Sequence, residues 1–245
     1  MRGGFVTIAA IAAVAGALAA CTNAPPACNP FFPVPRGASW VFQEAQQRAG
    51  VVMERSVSVA SVADEGRVTT ATLEQRVHAV GQPETAAGRA TTTVRCAGGA
   101  VQTSIVGGAA SAAGGAQANA TVKAELPGLP PADKLVAGYQ WRSEGRIETS
   151  DANGSQVTQI ARESQVDGVF PVKVAAGDFP DALRVASVET LRLGPAAGDR
   201  EAKQEIREWY VRGVGLVRRD TRIPGADQAA SVEELVQFSG VRAER

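Results

Sequence analysis

Histidine, cysteine and aromatic residues are scarce in this chain of 245 residues, which has one histidine, three cysteines and 5% aromatic residues. Zinc sites need several cysteine, histidine or carboxylate ligands, and activated nucleophiles need a neighbouring base. We therefore expect no metal, no cofactor and no catalytic residue. The 25 basic residues balance 25 acidic ones, which is unlike a nucleic-acid-binding protein. The composition favours a protein that is not an enzyme and has no nucleic-acid partner.

The N-terminus has the pattern of a bacterial lipoprotein signal. Arg2 precedes an uncharged apolar run, Phe5 to Ala20, whose 16 residues are short for a transmembrane helix of ~20 residues. The run ends in Leu18-Ala19-Ala20-Cys21, which resembles a lipobox. A plain signal peptide with an incidental cysteine is the alternative. We expect a cleaved signal helix over residues 1–20 and attachment to a membrane through acyl chains on Cys21.

The residue after the predicted lipidated cysteine is Thr22. In lipoproteins of bacteria with two membranes, aspartate at this position favours the inner membrane, so threonine predicts the outer membrane, with the protein facing the periplasm. In an organism with one membrane, the same anchor predicts the outer face of the cytoplasmic membrane. Cleavage removes Arg2 and leaves 24 basic against 25 acidic residues. The acyl chains, and not surface charge, would therefore hold the protein at the membrane.

The two remaining cysteines, Cys28 and Cys96, form an even pair in an oxidising compartment, which predicts a disulfide between them. Two unpaired buried thiols are the alternative. Residues 21–38 contain five prolines and are predicted to form a lipidated, semi-extended tether that holds the domain off the membrane. The disulfide would fasten this tether to the domain.

Beyond the tether, apolar residues recur with a period of two, which is typical of half-buried strands. Tyr139, Trp141 and Ile147 share one face of such a run, and polar residues occupy the other. Turn signals separate successive runs. We predict one β domain over residues 39–245: all-β, a curved, mainly antiparallel sheet or half-barrel of about ten to twelve strands. Separate strands are predicted near 155–166 and 170–175.

Two segments interrupt the period-two pattern. Residues 97–120 contain six glycines and nine alanines, which predicts a poor strand pair or a mobile loop, either a low-complexity insertion or a flap over a cavity. Within 226–239, Ser231 and Glu234 could form a helix-capping box, but Val232, Val236 and Phe238 also fit a strand. We expect a strand near 231–239.

The few aromatic side chains are concentrated in three pairs: Trp40 with Phe42, Tyr139 with Trp141, and Trp209 with Tyr210. They are expected to pack in the core, and the alternative is that they line a ligand cavity. Other polar groups are expected to be solvated. These are His78, Asp178, Asp181 and a basic cluster of Arg212, Arg218, Arg219 and Arg222 with Glu205, Glu208 and Asp220 nearby.

Three short segments resemble a group of bacterial exported proteins and lipoproteins. The segment from Phe31 to Phe42 is similar to their aromatic-Phe-Pro opening followed by Gly-x-x-Trp. The segments from Val172 to Phe179 and from Glu208 to Arg218 are similar to their V-x-V-P-A-G-T-F and W-Y-x-x-G-V-G-x-V segments. The resemblance implies a curved antiparallel sheet, akin in shape to the half-barrel of lipoprotein carriers. It implies no reaction and no catalytic residue.

These observations favour a lipid-anchored protein of the bacterial envelope that binds and does not catalyse. In a first hypothesis it is an interaction module, whose sheet edge or concave face contacts another envelope component. In a second it carries or senses an apolar ligand in a cavity lined by the three aromatic pairs. In a third it is a hydrolase, which would have to use His78, Asp178 and Asp181.

Overall fold

The computed structural model describes residues 28–47, 49–82, 88–108, 121–151, 154–194 and 200–240. The predicted signal helix (1–20), including Leu18, Ala19 and Ala20, the acylated Cys21 and residues 109–120 lie outside this part. A 3-10 turn, Ala132–Lys134, precedes β7. The strands are β1 Ser39–Gln46, β2 Val51–Asp64, β3 Val68–Ala79, β4 Gly88–Ala97, β5 Ala100–Gly108, β6 Thr121–Leu129, β7 Gln140–Asp151, β8 Gly154–Val174, β9 Gly177–Leu193, β10 Glu201–Val211, β11 Gly215–Arg222 and β12 Ser231–Ser239.

The twelve strands form one closed antiparallel barrel. Each strand pairs with its neighbours in the chain, and β1 also pairs with β12, so that Ser39 lies opposite both Ser58 and Ser239. The all-β class, the antiparallel pairing and the strand number are as predicted. The sheet curves further than a half-barrel, because β1 and β12 join its two edges. One face of every strand therefore becomes barrel interior.

Strand β8 is a single strand of 21 residues, so the prediction of two strands at 155–166 and 170–175 was wrong. Its register with β9 shifts between Val166 and Gly168 and again between Phe170 and Val172. Gly168 has a φ of +136°. Gly168 is part of a β-bulge, which bends the strand without ending it.

The N-terminal segment closes one end of the barrel, here called the closed end. Cys28, Phe31 and Val34 are buried. Asn29 is also buried, and its side-chain amide donates to the carbonyl oxygens of Gly99, at 2.9 Å, and Pro130, at 3.1 Å. The β domain therefore includes residues 28–38, which the proline content assigned to the tether.

The predicted disulfide between Cys28 and Cys96 is confirmed, with a Cα–Cα distance of 5.3 Å. Both cysteines are buried. Because Cys96 lies near the end of β4, the bond fixes the N-terminal segment to the barrel wall.

The first part of the Gly/Ala-rich segment forms strand β5, which pairs with β4 from Ala97↔Ala100 to Ala90↔Gly107. Residues 100–108 are thus a paired strand and not a loop. A Cβ atom added to Gly107 would lie 2.6 Å from the Cα atom of Ala90. Small residues here allow the two strands to approach closely. The predicted strand at 231–239 is confirmed as β12.

Candidate functional site

The barrel encloses a cavity of about 650 Å³. Side chains alternate between the two faces of a strand, so the inward faces line it. Phe32 and Pro33 from the N-terminal segment border it at the closed end. Much of its wall is apolar, and the contributing side chains include Trp40, Phe42, Val57, Leu73, Val101, Leu129 and Ile206.

Three of the six aromatic residues predicted to pack in the core, or alternatively to line a cavity, border this cavity. Trp40, Phe42 and Tyr210 line it, whereas Tyr139, Trp141 and Trp209 do not. Tyr139 and Trp141 stack on each other, with ring centroids 6.0 Å apart, and pack against the core. Trp209 lies on the opposite face of β10 from Tyr210, and the guanidinium of Arg218 is 5.5 Å from its ring centroid. For these three residues the cavity alternative was wrong.

Two of the three family-like segments meet at the closed end. The indole Nε1 of Trp40, from the first segment, donates to the carbonyl oxygen of Val214, from the third, at 2.7 Å. The guanidinium of Arg212 lies 4.7 Å from the ring centroid of Phe31. Gly215, with a φ of +100°, brings the chain within reach of Pro33, whose Cδ lies 3.4 Å from where a Cβ would be. These two segments therefore form the floor of the cavity together.

Six charged side chains form an ion-pair belt around part of the cavity wall. They are Arg55 on β2, Arg162 on β8, Glu189 on β9, Glu208 on β10, Arg219 on β11 and Glu233 on β12. Strand register places opposite charges directly across from one another: Arg219 faces both Glu208 and Glu233, and Arg162 faces Glu189. Directly opposed opposite charges stabilise a strand pair.

One half of the belt is centred on Arg219. Its Nε donates to Oε1 of Glu208 at 2.9 Å, and its Nη1 donates to Oε2 of Glu233 at 3.3 Å. Arg55 reaches Glu233 across β1, with its Nη2 2.6 Å from Oε1. The ring centroid of Phe42 lies 4.4 Å from the Arg55 guanidinium. Glu233 is therefore shared by two arginines.

The other half is centred on Arg162. Its Nε donates to Oε2 of Glu189 at 2.8 Å, and its Nη1 lies 3.6 Å from Oε2 of Glu208. The side-chain amide of Gln204 donates to Oε1 of Glu189 at 2.6 Å. Every guanidinium in the belt thus has at least one carboxylate partner, and the belt by itself carries no net charge.

Two carboxylates of the belt, Glu208 and Glu233, have a lowered pKa that favours their ionised form. Burial would raise the pKa of Glu208, which is 2% exposed, but the nearby guanidinium groups of Arg219 and Arg162 outweigh burial and lower it. Burial likewise opposes the ionised form of Glu233, and Arg55 and Arg219 lower its pKa. Burial and the charge of Glu208 together raise the pKa of Tyr210, which keeps this phenol protonated.

The expectation that the basic cluster lies on a solvated face was wrong for Arg219 and for its neighbour Glu208, which both face the interior. Arg218 lies on the other face of β11 and pairs with Asp220 and Glu234. The available signal was the strand period. Glu208 lies two residues from each of the buried residues Ile206 and Tyr210, so its side chain is on the same face of the strand as theirs.

Glu44 is the remaining charged side chain of the cavity wall. It lies on β1, directly opposite Glu233 on β12, and is half-buried. Its carboxylate has no ion-pair or hydrogen-bond partner among the residues that the structure describes. The cavity wall therefore carries four glutamates and three arginines, which is one negative charge in excess.

The hydrolase candidates are not brought together. His78 is not solvated as expected, since its side chain is 16% exposed, and its Nε2 lies 3.8 Å from Oε1 of Glu54. Asp178 pairs with Lys173 at the surface, 3.5 Å away, and Asp181 is exposed. In the described ranges, no group of three or more histidines, cysteines and acidic residues is arranged to hold a metal ion. No helix within those ranges is long and apolar enough to cross a membrane.

Two solved structures have similar folds. One is a protein from Bacteroides fragilis, described as exported and as having a YmcC-like fold, with a TM-score of 0.63, 14% identity, and coverage of 87% of this chain and 100% of that chain. The other, from Parabacteroides distasonis, is described as a lipoprotein, with a TM-score of 0.62, 17% identity, and coverage of 86% and 99%. No protein-family model and no curated protein matches the chain. At these identities the likeness shows a shared fold.

Proposed function

We propose that this chain is a lipoprotein of the bacterial cell envelope, without enzymatic activity, that binds a partly apolar ligand inside its barrel. The observation that carries the proposal is the interior cavity of about 650 Å³, with apolar and aromatic walls next to a belt of charged groups. Small-molecule sites are typically cavities of roughly 300–1,000 Å³ with mostly apolar walls and a few polar groups.

The geometry supports an interior ligand better than a protein partner at a sheet edge. Each of the twelve described strands has a neighbour on both sides, so none is a free edge strand to which a partner could add. The concave face of the sheet lines the cavity, where a ligand would contact side chains from many strands. Of the two forms of binding module inferred above, the ligand carrier or sensor is therefore preferred.

The envelope location rests on the lipobox at Cys21 and is supported by the descriptions of the two similar structures, one as exported and one as a lipoprotein. Thr22 favours the outer membrane, with the domain facing the periplasm, in an organism with two membranes. Cys28 is seven residues beyond Cys21, which limits the distance between the acyl chains and the closed end to roughly 25 Å. The closed end would then face the membrane.

Binding can be tested with the full chain carrying Cys21→Ser, which prevents acylation. Titration with the apolar fluorescent probe N-phenylnaphthylamine should show saturable binding. Thr103→Trp, whose new side chain would enter the cavity, should weaken this binding at least tenfold. Gln102→Trp, on the outer face of the same strand, is the matched control and should leave the affinity unchanged. Equal affinities for the two variants, or no binding by the unsubstituted chain, would refute an interior site.

A further inference from the structure

We propose that the cavity prefers amphiphiles with a cationic ammonium head group, and that Glu44 is the residue that recognises this head group. This inference rests on the proposed interior site and names the class of its ligand. It starts from Glu44, the one charge of the cavity wall that has no partner among the described residues.

An anionic head group would find no unpaired cation among the described residues of the cavity wall. Arg55 pairs with Glu233, Arg162 with Glu189 and Glu208, and Arg219 with Glu208 and Glu233. To bind a carboxylate or phosphate, one of these guanidiniums would have to leave a carboxylate that is buried. Breaking a buried pair is strongly unfavourable, because it leaves an unpaired charge in the barrel.

A cationic head group meets the opposite situation. Glu44 and Glu233 lie directly opposite each other on β1 and β12, and like charges in that position destabilise a strand pair. Glu233 has two arginine partners and Glu44 has none among the described residues. An ammonium group placed at Glu44 would therefore supply the missing positive charge and relieve this repulsion.

The surroundings of Glu44 fit the rest of such a molecule. Along β1, Glu44, Phe42 and Trp40 all face the cavity, in that order toward the closed end. A head group at Glu44 therefore places an attached alkyl chain along two aromatic rings, toward the apolar floor formed by Phe32 and Pro33. A primary ammonium also has three donors, so it can bind the carboxylate in more than one geometry.

Three amphiphiles with the same alkyl chain separate the effect of the head group from that of the chain. Dodecylamine, dodecanol and dodecanoate would each be used to displace N-phenylnaphthylamine from the full chain carrying Cys21→Ser. Dodecylamine should displace the probe at the lowest concentration, and dodecanoate at the highest. The substitution Glu44→Gln should raise the half-displacing concentration of dodecylamine about tenfold and leave that of dodecanol unchanged, because hydrogen bonds to charged groups are the stronger ones.

Glu54→Gln is the matched control, since Glu54 lies on β2 and faces His78 on the outside of the barrel. It should not change any of the three displacements. If dodecylamine and dodecanol are equivalent and Glu44→Gln has no effect, while Thr103→Trp still weakens binding, the interior site stands and the cation preference is refuted. Tightest binding of dodecanoate also refutes the preference. If none of the amphiphiles displaces the probe, both proposals fail.

Discussion

The belt makes a specific prediction about Arg219. The substitution Arg219→Ala removes one partner from Glu208 and one from Glu233, two carboxylates that are 2% and 6% exposed. Removing one partner of a buried ion pair costs about 3–5 kcal/mol, because the other charge stays buried without compensation. The side chain of Arg219 is itself 36% exposed. Glu233 keeps Arg55 and Glu208 keeps Arg162, so we expect the lower end, about 3 kcal/mol.

The adjacent residue supplies the control. Arg218 lies on the outer face of the same strand and pairs with Asp220, 2.8 Å away, and Glu234, 2.6 Å away. Because water screens its partners better, Arg218→Ala should cost at most about 1 kcal/mol. The comparison keeps the residue type, the strand and the number of lost partners nearly constant. Only the face of the sheet differs.

Urea unfolding at neutral pH measures both changes. We expect the midpoint to fall much further for Arg219→Ala than for Arg218→Ala, with an unchanged dependence of the unfolding free energy on urea. For a domain of this size, about 3 kcal/mol corresponds to a fall of roughly 6–12 °C in Tm. Equal losses for the two variants would show that the belt is not a buried network and would refute the reasoning.

Three further predictions follow from the same structure. The folded-state pKa values of Glu208 and Glu233 are lowered from 4.5, so their contribution to the unfolding free energy should be complete above about pH 5 and should decline at lower pH. Arg219→Ala should reduce this dependence of the unfolding free energy on pH. The same dependence on pH in the variant and the unsubstituted chain would contradict the prediction. Reducing the disulfide, or replacing Cys28 and Cys96 together by serine, should lower the unfolding free energy by about 2–5 kcal/mol, since the bond closes a loop with a sequence separation of 68. An unchanged urea midpoint would mean that the N-terminal segment holds its place without the bond. Cys21→Ser should release the protein from membranes in cell fractionation and abolish labelling by radioactive palmitate. Cys28→Ser is the control and should change neither the fractionation nor the labelling. Continued membrane partitioning of Cys21→Ser would refute the lipobox interpretation.

Local patterns were enough to predict the all-β class, the strand β12 and the disulfide. The alternation in residues 139–149 marks strand β7 directly, because a strand with one buried face has a period of two. The pairing of Cys28 with Cys96 followed from counting once Cys21 was assigned to the lipid. Each of these inferences needs only a short stretch of chain or a simple count.

Closure of the barrel could not be predicted in this way. It depends on pairing between β1 and β12, whose residues Ser39 and Ser239 are 200 positions apart. An open sheet has a solvated face on which charged residues are expected, and this is how Arg219 and Glu208 were interpreted. Closure turns that face inward and brings six charged residues from six strands together. The one local signal was that Glu208 alternates in step with the apolar residues Ile206 and Tyr210, which places all three side chains on the same face of the strand.

Native mass spectrometry tests the central claim, that the barrel interior holds a ligand, most directly. The full chain carrying Cys21→Ser, purified from the soluble fraction without detergent, should retain a non-covalent small molecule. The same adduct should be present with Gln102→Trp and lost with Thr103→Trp, whose side chain would enter the cavity. An adduct that persists in Thr103→Trp, or bare protein masses in all three samples, would contradict the account.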